Sequence, residues 1–215
     1  MSTQAFNGAY LLPLFSEIEQ ARADGAYRPL PAPAPASSLA TDDAPLGPYA
    51  AAHLIRTSYT AGLAHADALR RLTVAGEVDP TSPWTLLRGA LENFATGLWL
   101  LDGAGRAEIR AIADHLALAP LAAPRTHQIL LAAAPTAGLT AARVGAAWRA
   151  ASGFAHGRYW PNLRASQPRA AIQGADGVHT VALVIDEEQH RPLAEYCRIM
   201  LRQLQEHYHA RAQAR

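Results

Sequence analysis

Arg149 and His156 lie seven positions apart in a stretch whose periodicity predicts a helix over 140–156. At 100° per residue, His156 returns to within about 20° of Arg149, two turns further on. Ser152 shares their flank, and the rest of that face is Gly145, Ala146 and Gly153. The opposite arc collects Val144, Ala147, Trp148, Ala151, Phe154 and Ala155, so one side reads as core and the other displays Arg, Ser and His. Histidine can take and return protons near neutral pH. Arginine keeps its charge and binds phosphate oxygens with a planar fork. A second charged pair, Arg88 and Glu92, stands at i and i+4 on an otherwise apolar helix, where charges are costly unless partnered. Two accounts of that pair are open. It is a plain intrahelical ion pair, or Glu92 reaches Arg149 or His156 and fixes its geometry.

The surroundings of this helix are basic. Between His115 and Ala175 there is no Asp or Glu, yet Arg125, Arg143, Arg149, Arg158, Arg164 and Arg169 fall there, in a chain whose formal net charge is +1. All nineteen basic residues are Arg. Such a local excess favours polyanions. Tyr159 and Trp160 directly follow Arg158, a mixture suited to stacked single-stranded bases, with Arg164 close by. The rival account is internal neutralisation, with the acidic first and last thirds folded against the basic segment.

The elements that must hold these residues are helical. The chain has 215 residues, half of them apolar, and 48 alanines, the residue with the best helix propensity. From residue 47 the apolar period fits helices over Tyr49–Arg71, Trp84–Leu101, Arg106–Leu118, a short one opened by Pro120 and Pro124 and running to Ala134, Thr140–His156, and one starting near Pro192. The helix from Trp84 is apolar nearly all round and should be central. Residues 158–177 read as a loop, and Val178–Ile185 as a short strand or extended link. The expected fold is therefore all-α, a bundle of five to six helices over 47–215, preceded by a Pro/Ala-rich N-terminal extension over 1–46 whose alternating prolines form a linker. The lone Cys197 lies in an apolar stripe, reads as a core thiol, and excludes an internal disulfide and a Cys-based zinc site. No signal segment and no membrane-length apolar run are evident, so a cytoplasmic protein without membrane contact is expected. Nothing in the pattern calls for a metal or another cofactor.

Arg149, six intervening residues and His156 near a helix end resemble the Arg-x(4–6)-His signature of HEPN domains. The string from Trp148 to Gly157 looks like the Ser-x-x-x-His-Gly ending of an uncharacterised bacterial branch of that type, and Arg88 with Glu92 is similar to the Arg-x-x-x-Glu that accompanies it. The resemblance covers about residues 47–213. It implies an all-α fold and a metal-independent ribonuclease with a toxin–antitoxin or phage-defence role. It also implies a homodimer that brings two motifs together, and a cognate antitoxin or defence partner. His156 would be the acid/base and Arg149 the phosphate clamp, with Ser152, Glu92 and Arg88 in support. Arg158, Tyr159, Trp160 and Arg164 would bind RNA. The face of Gly145, Arg149, Ser152 and Gly153 would be the dimer contact. Active members usually carry Asn, Asp or His after the arginine; here Ala150 stands there, so a catalytically inactive HEPN-like dimerisation or interaction module is the alternative.

Overall fold

The computed structural model describes residues 8–23, 26–110, 124–156, 166–173, 179–183 and 187–214. It is mostly helical: α1 (Leu12–Gln20), α2 (Ser38–Asp43), α3 (Ala51–Ala75), α4 (Ser82–Asp102), α5 (Thr126–Thr136), α6 (Ala141–Ala155) and α7 (Glu187–Ala212). Residues 106–110 are helical as well, while the remainder of the helix expected up to Leu118 lies outside the described residues. Two short antiparallel hairpins complete the fold, β1 (Arg22–Ala23) with β2 (Ala26–Tyr27) and β3 (Ser166–Gln173) with β4 (His179–Leu183). No helix among the described residues is long and apolar enough to cross a membrane.

Helix α4 is the centre, packing against α3, α5, α6 and α7. Its sequence explains this: Trp84, Leu87, Leu91, Phe94, Leu98 and Leu101 cover more than one face, and all are buried. Helix α3 comes close because Gly62 has no side chain. A Cβ there would stand 2.4 Å from the Phe94 ring. The ends of these helices follow from local chemistry. Gly76, at φ 71°, closes α3, with the Glu77 N–H returning to the Leu72 carbonyl. Asp79 precedes α4 and accepts from the N–H groups of Thr81 and Ser82, so the turn before α4 caps it. Burial pushes the Asp79 carboxyl up, but hydrogen bonds from Ser82 and Thr81 outweigh it and bring its pKa down to about 2.

Three expectations change. Residues 166–173 form a strand, where the sequence reads as loop. Its pairing with β4 is irregular between Gln167 and Ile172, around Pro168, which lacks the N–H a regular ladder needs. Helix α7 begins five residues before Pro192, with Glu187 and Glu188 in its first turn, where acids suit the helix dipole. The stretch before residue 47 is part of the same core: Leu11, Leu14, Phe15, Ile18, Leu30 and Leu39 are buried with the bundle's residues. Its proline segment is strapped to the end of α7 by Tyr208 Oη donating to the Pro31 carbonyl at 2.7 Å and by Ala34 N–H donating to the Ala212 carbonyl at 2.8 Å. Cys197 is a buried core thiol, its Sγ 3.2 Å from the Leu87 carbonyl, and burial raises its pKa.

Candidate functional site

The site is built where α4 and α6 pack. Arg88 and Glu92, one turn apart on α4, form an ion pair through Arg88 Nε and Glu92 Oε1 at 2.7 Å. The same carboxylate oxygen accepts the Trp148 indole N–H from α6 at 2.6 Å. The Arg88 guanidinium lies over the Trp148 ring, 5.7 Å from its centroid, in a cation–π contact. Held by these groups, Arg88 places Nη1 3.4 Å from Nε2 of His156, the residue that ends α6. For Arg88 to donate in this arrangement, the His156 proton must sit on Nδ1, leaving Nε2 with its lone pair. His156 is exposed, while Arg88 and Glu92 are about four-fifths buried. The result is an accessible imidazole beside a guanidinium that the protein has fixed in place.

Of the residues singled out in the sequence, the structure brings together Arg88, Glu92 and His156. Glu92 reaches neither Arg149 nor His156 directly; it holds Arg88, and Arg88 reaches His156. Ser152 is half-buried, and its carbonyl accepts the His156 N–H at 3.2 Å. Arg149 is exposed but turns the other way. Its Nη1 is 3.4 Å from where a Gly145 Cβ would sit, one turn toward the start of α6, so it does not pair with His156. The expected flat dimer face also changes. Gly145 and Gly153 are buried within the chain, and Leu131 of α5 fills the space over Gly145. Arg158, Tyr159, Trp160 and Arg164 lie outside the described residues.

Two participants were missed. Trp148 falls on the core arc of a helical wheel, which locates a Cα but not the reach of an indole; its N–H, which needs an acceptor when buried, was the available signal. His127, in the first turn of α5, has its ring 5.2 Å from the Trp148 ring. Its Nε2 is buried, finds no hydrogen-bond partner among the described residues, and lies 3.9 Å from the same Gly145 position that Arg149 approaches. No sequence pattern marked it.

Arg22, Arg70, Arg71, Arg191, Arg198, Arg202 and Arg211 are all ion-paired with acids. Arg125, Arg143 and Arg149 are exposed and make no ion pair among the described residues. Among the described residues, then, no carboxylate sits within ion-pair distance of these three arginines. No family model, curated protein or solved structure matches the chain.

Proposed function

We propose that this protein is a metal-independent ribonuclease of HEPN type, with His156 as the acid/base and Arg88, in place of Arg149, as the phosphate clamp beside it. The observation that carries the reading is the convergence of Arg88 and His156 across 68 residues of sequence, with Glu92 and Trp148 fixing the arginine. When a substrate phosphate draws the Arg88 N–H groups to itself, the His156 Nε2 lone pair is released and takes the proton of a ribose 2′-hydroxyl. The 2′-oxygen attacks the adjacent phosphorus, the bond to the 5′-oxygen breaks, and a 2′,3′-cyclic phosphate remains. Arg88 offers its outer N–H groups to the phosphate oxygens as charge builds on them. The departing 5′-oxygen leaves on the side of the phosphorus opposite the 2′-oxygen, away from the imidazole that took the first proton, and a protonated His156 from a second copy of the site in a homodimer gives it its proton. A toxin–antitoxin or phage-defence setting, with its cognate partner, is what the HEPN resemblance adds.

A second reading has its own support. Ala150 and the turn of Arg149 away from His156 both suit an interaction module that keeps the fold without the chemistry. Incubating the protein with a panel of single-stranded RNAs in the presence of chelator separates the two. The nuclease gives fragments ending in cyclic phosphate, and His156→Ala reduces the rate by a factor on the order of 10² to 10⁴. No cleavage across the panel, or full activity in His156→Ala, leaves the module. A rate per protomer that does not fall on dilution would remove the second copy from the mechanism.

A further inference from the structure

Arg149 is an exposed cation that the cleavage site does not use. Its guanidinium folds back over Gly145, toward the first turn of α5, where His127 presents an unpartnered Nε2. His156 sits eleven residues further along α6, roughly 16 Å away along the axis at 1.5 Å per residue. Trp148 lies between these two ends, its ring 5.2 Å from that of His127 and under the Arg88 guanidinium, which reaches α6 from α4. The seam that α6 forms with α5 and α4 therefore carries basic and aromatic groups: Arg149 with His127 on the α5 side, Trp148 touching both, and Arg88 with His156 on the α4 side. Neither α5 nor α6 contains an acidic residue, and Glu92, which meets α6 from α4, is already taken by Arg88 and Trp148.

We propose that Arg149, beside His127, is a second phosphate-binding subsite, and that it grips a single-stranded RNA running along this α6 seam toward His156. The proposal rests on the cleavage reading for where the strand is cut, but not for where it is bound. A single strand fits because its phosphates can follow one straight helix edge. An A-form duplex hides its bases in a deep, narrow major groove and cannot lay one backbone along that edge as freely. Even at a stacked rise of about 3.4 Å per nucleotide, roughly five nucleotides span the two ends, and a more extended strand needs fewer. Arg149 thus sets a minimum length for tight binding.

The test is binding, read by fluorescence anisotropy on the His156→Ala protein so that nothing is cut. RNA oligomers of three to ten nucleotides should show a step in affinity near five. Arg149→Gln should abolish the step and lower the salt-dependence slope for an eight-mer by about 0.7, the share of one phosphate on a single strand. Arg143→Gln removes the same charge from the same exposed helix, about 120° round from Arg149, and should keep the step. Equal losses from the two variants would reduce the seam to a diffuse basic field and overturn the subsite. So would a duplex that binds as tightly as the single strand, or an eight-mer that does not bind at low salt. Binding with the step but no wild-type cleavage would overturn the nuclease reading and leave the subsite standing. Cleavage without an Arg149-dependent step would do the reverse.

Discussion

One oxygen of Glu92 takes two donors, the Arg88 Nε–H and the Trp148 indole N–H, and this sharing decides where the Arg88 guanidinium points. Charge-assisted bonds of this length are the stronger kind, so the carboxylate acts as a rigid bracket between α4 and α6. Trp148→Phe keeps the ring under Arg88 but removes one of the two donors. If Arg88 serves catalysis through its position, this variant should lose about ten-fold in cleavage rate while melting within a few degrees of wild type. A displacement of about 1 Å can cost up to 10²-fold, so Glu92→Ala should lose more than Glu92→Gln, which retains an acceptor. Rates unchanged in all three would mean that Arg88 does not act on substrate. At this scale the sequence was half legible. His156, Arg88 and Glu92 stood out because polar residues on apolar helices need a reason. Arg149 was placed with His156 because a wheel gives angle alone, and a long side chain can lie a turn away from its own Cα.

At the level of elements, the hairpin β1–β2 is fastened to α3 by a single buried carboxylate. Asp67 accepts from Arg22 at 2.9 Å, from Arg70 at 2.7 Å and from the Tyr27 hydroxyl at 3.1 Å. Its side chain is 4% exposed. Burial alone would raise its pKa, but the bonds from Arg70 and Tyr27, with the charges of Arg70 and Arg22, hold it below the usual carboxylate range. A carboxyl whose folded pKa is depressed adds stability above its unfolded pKa and loses it as pH falls through the folded value. Thermal stability should therefore fall below about pH 4, the unfolded aspartate value. Asp67→Asn should be less stable at pH 7 by roughly 2–4 kcal/mol, since partners of a buried charge are left unmatched while the arginines can still reach water. In a chain of this size that is a drop of very roughly 4–16 °C in Tm. The gap between variant and wild type should narrow in acid. A gap that is the same at pH 3 and pH 7 would show that Asp67 is not charged in the fold. Long helices such as α3 and α4 were legible because twenty-odd residues of 3.6-residue period outvote any local exception. The strand β3 is not, because Pro168 and Arg169 interrupt its alternation and its pairing partner β4 is a separate segment of the chain.

The whole molecule is one core to which the stretch before residue 47 contributes as a wall. Leu11, Leu14, Phe15 and Ile18 pack from α1 and the turn before it, Leu30 from the proline segment, Leu39 from α2 and Leu46 just beyond. The sequence showed that stretch as an apolar cluster followed by alternating prolines, which is the pattern of an appendage on a tether. Composition reports stiffness, not where a stiff segment lies, and here it lies along α7. Asp43 adds a second tie, accepting the Ala51 N–H at 2.7 Å and the Ala52 N–H at 3.2 Å and so capping α3 from outside the bundle. Each large apolar side chain fully buried contributes about 1.5–3 kcal/mol. Seven of them contribute about 10–20 kcal/mol before the entropy of ordering the segment is subtracted. That is at least as large as the net of roughly 5–15 kcal/mol that holds an entire domain folded. A chain beginning at residue 47 should therefore keep much of its helical far-ultraviolet signal but lose cooperative melting, and should bind a hydrophobic dye. Supplying residues 1–46 as a separate peptide should restore the sharp transition, because the wall docks through contacts that do not need the covalent link. If the shortened chain melts as sharply as the full one and within a few degrees of it, the N-terminal stretch is an appendage after all, and the core closes without it.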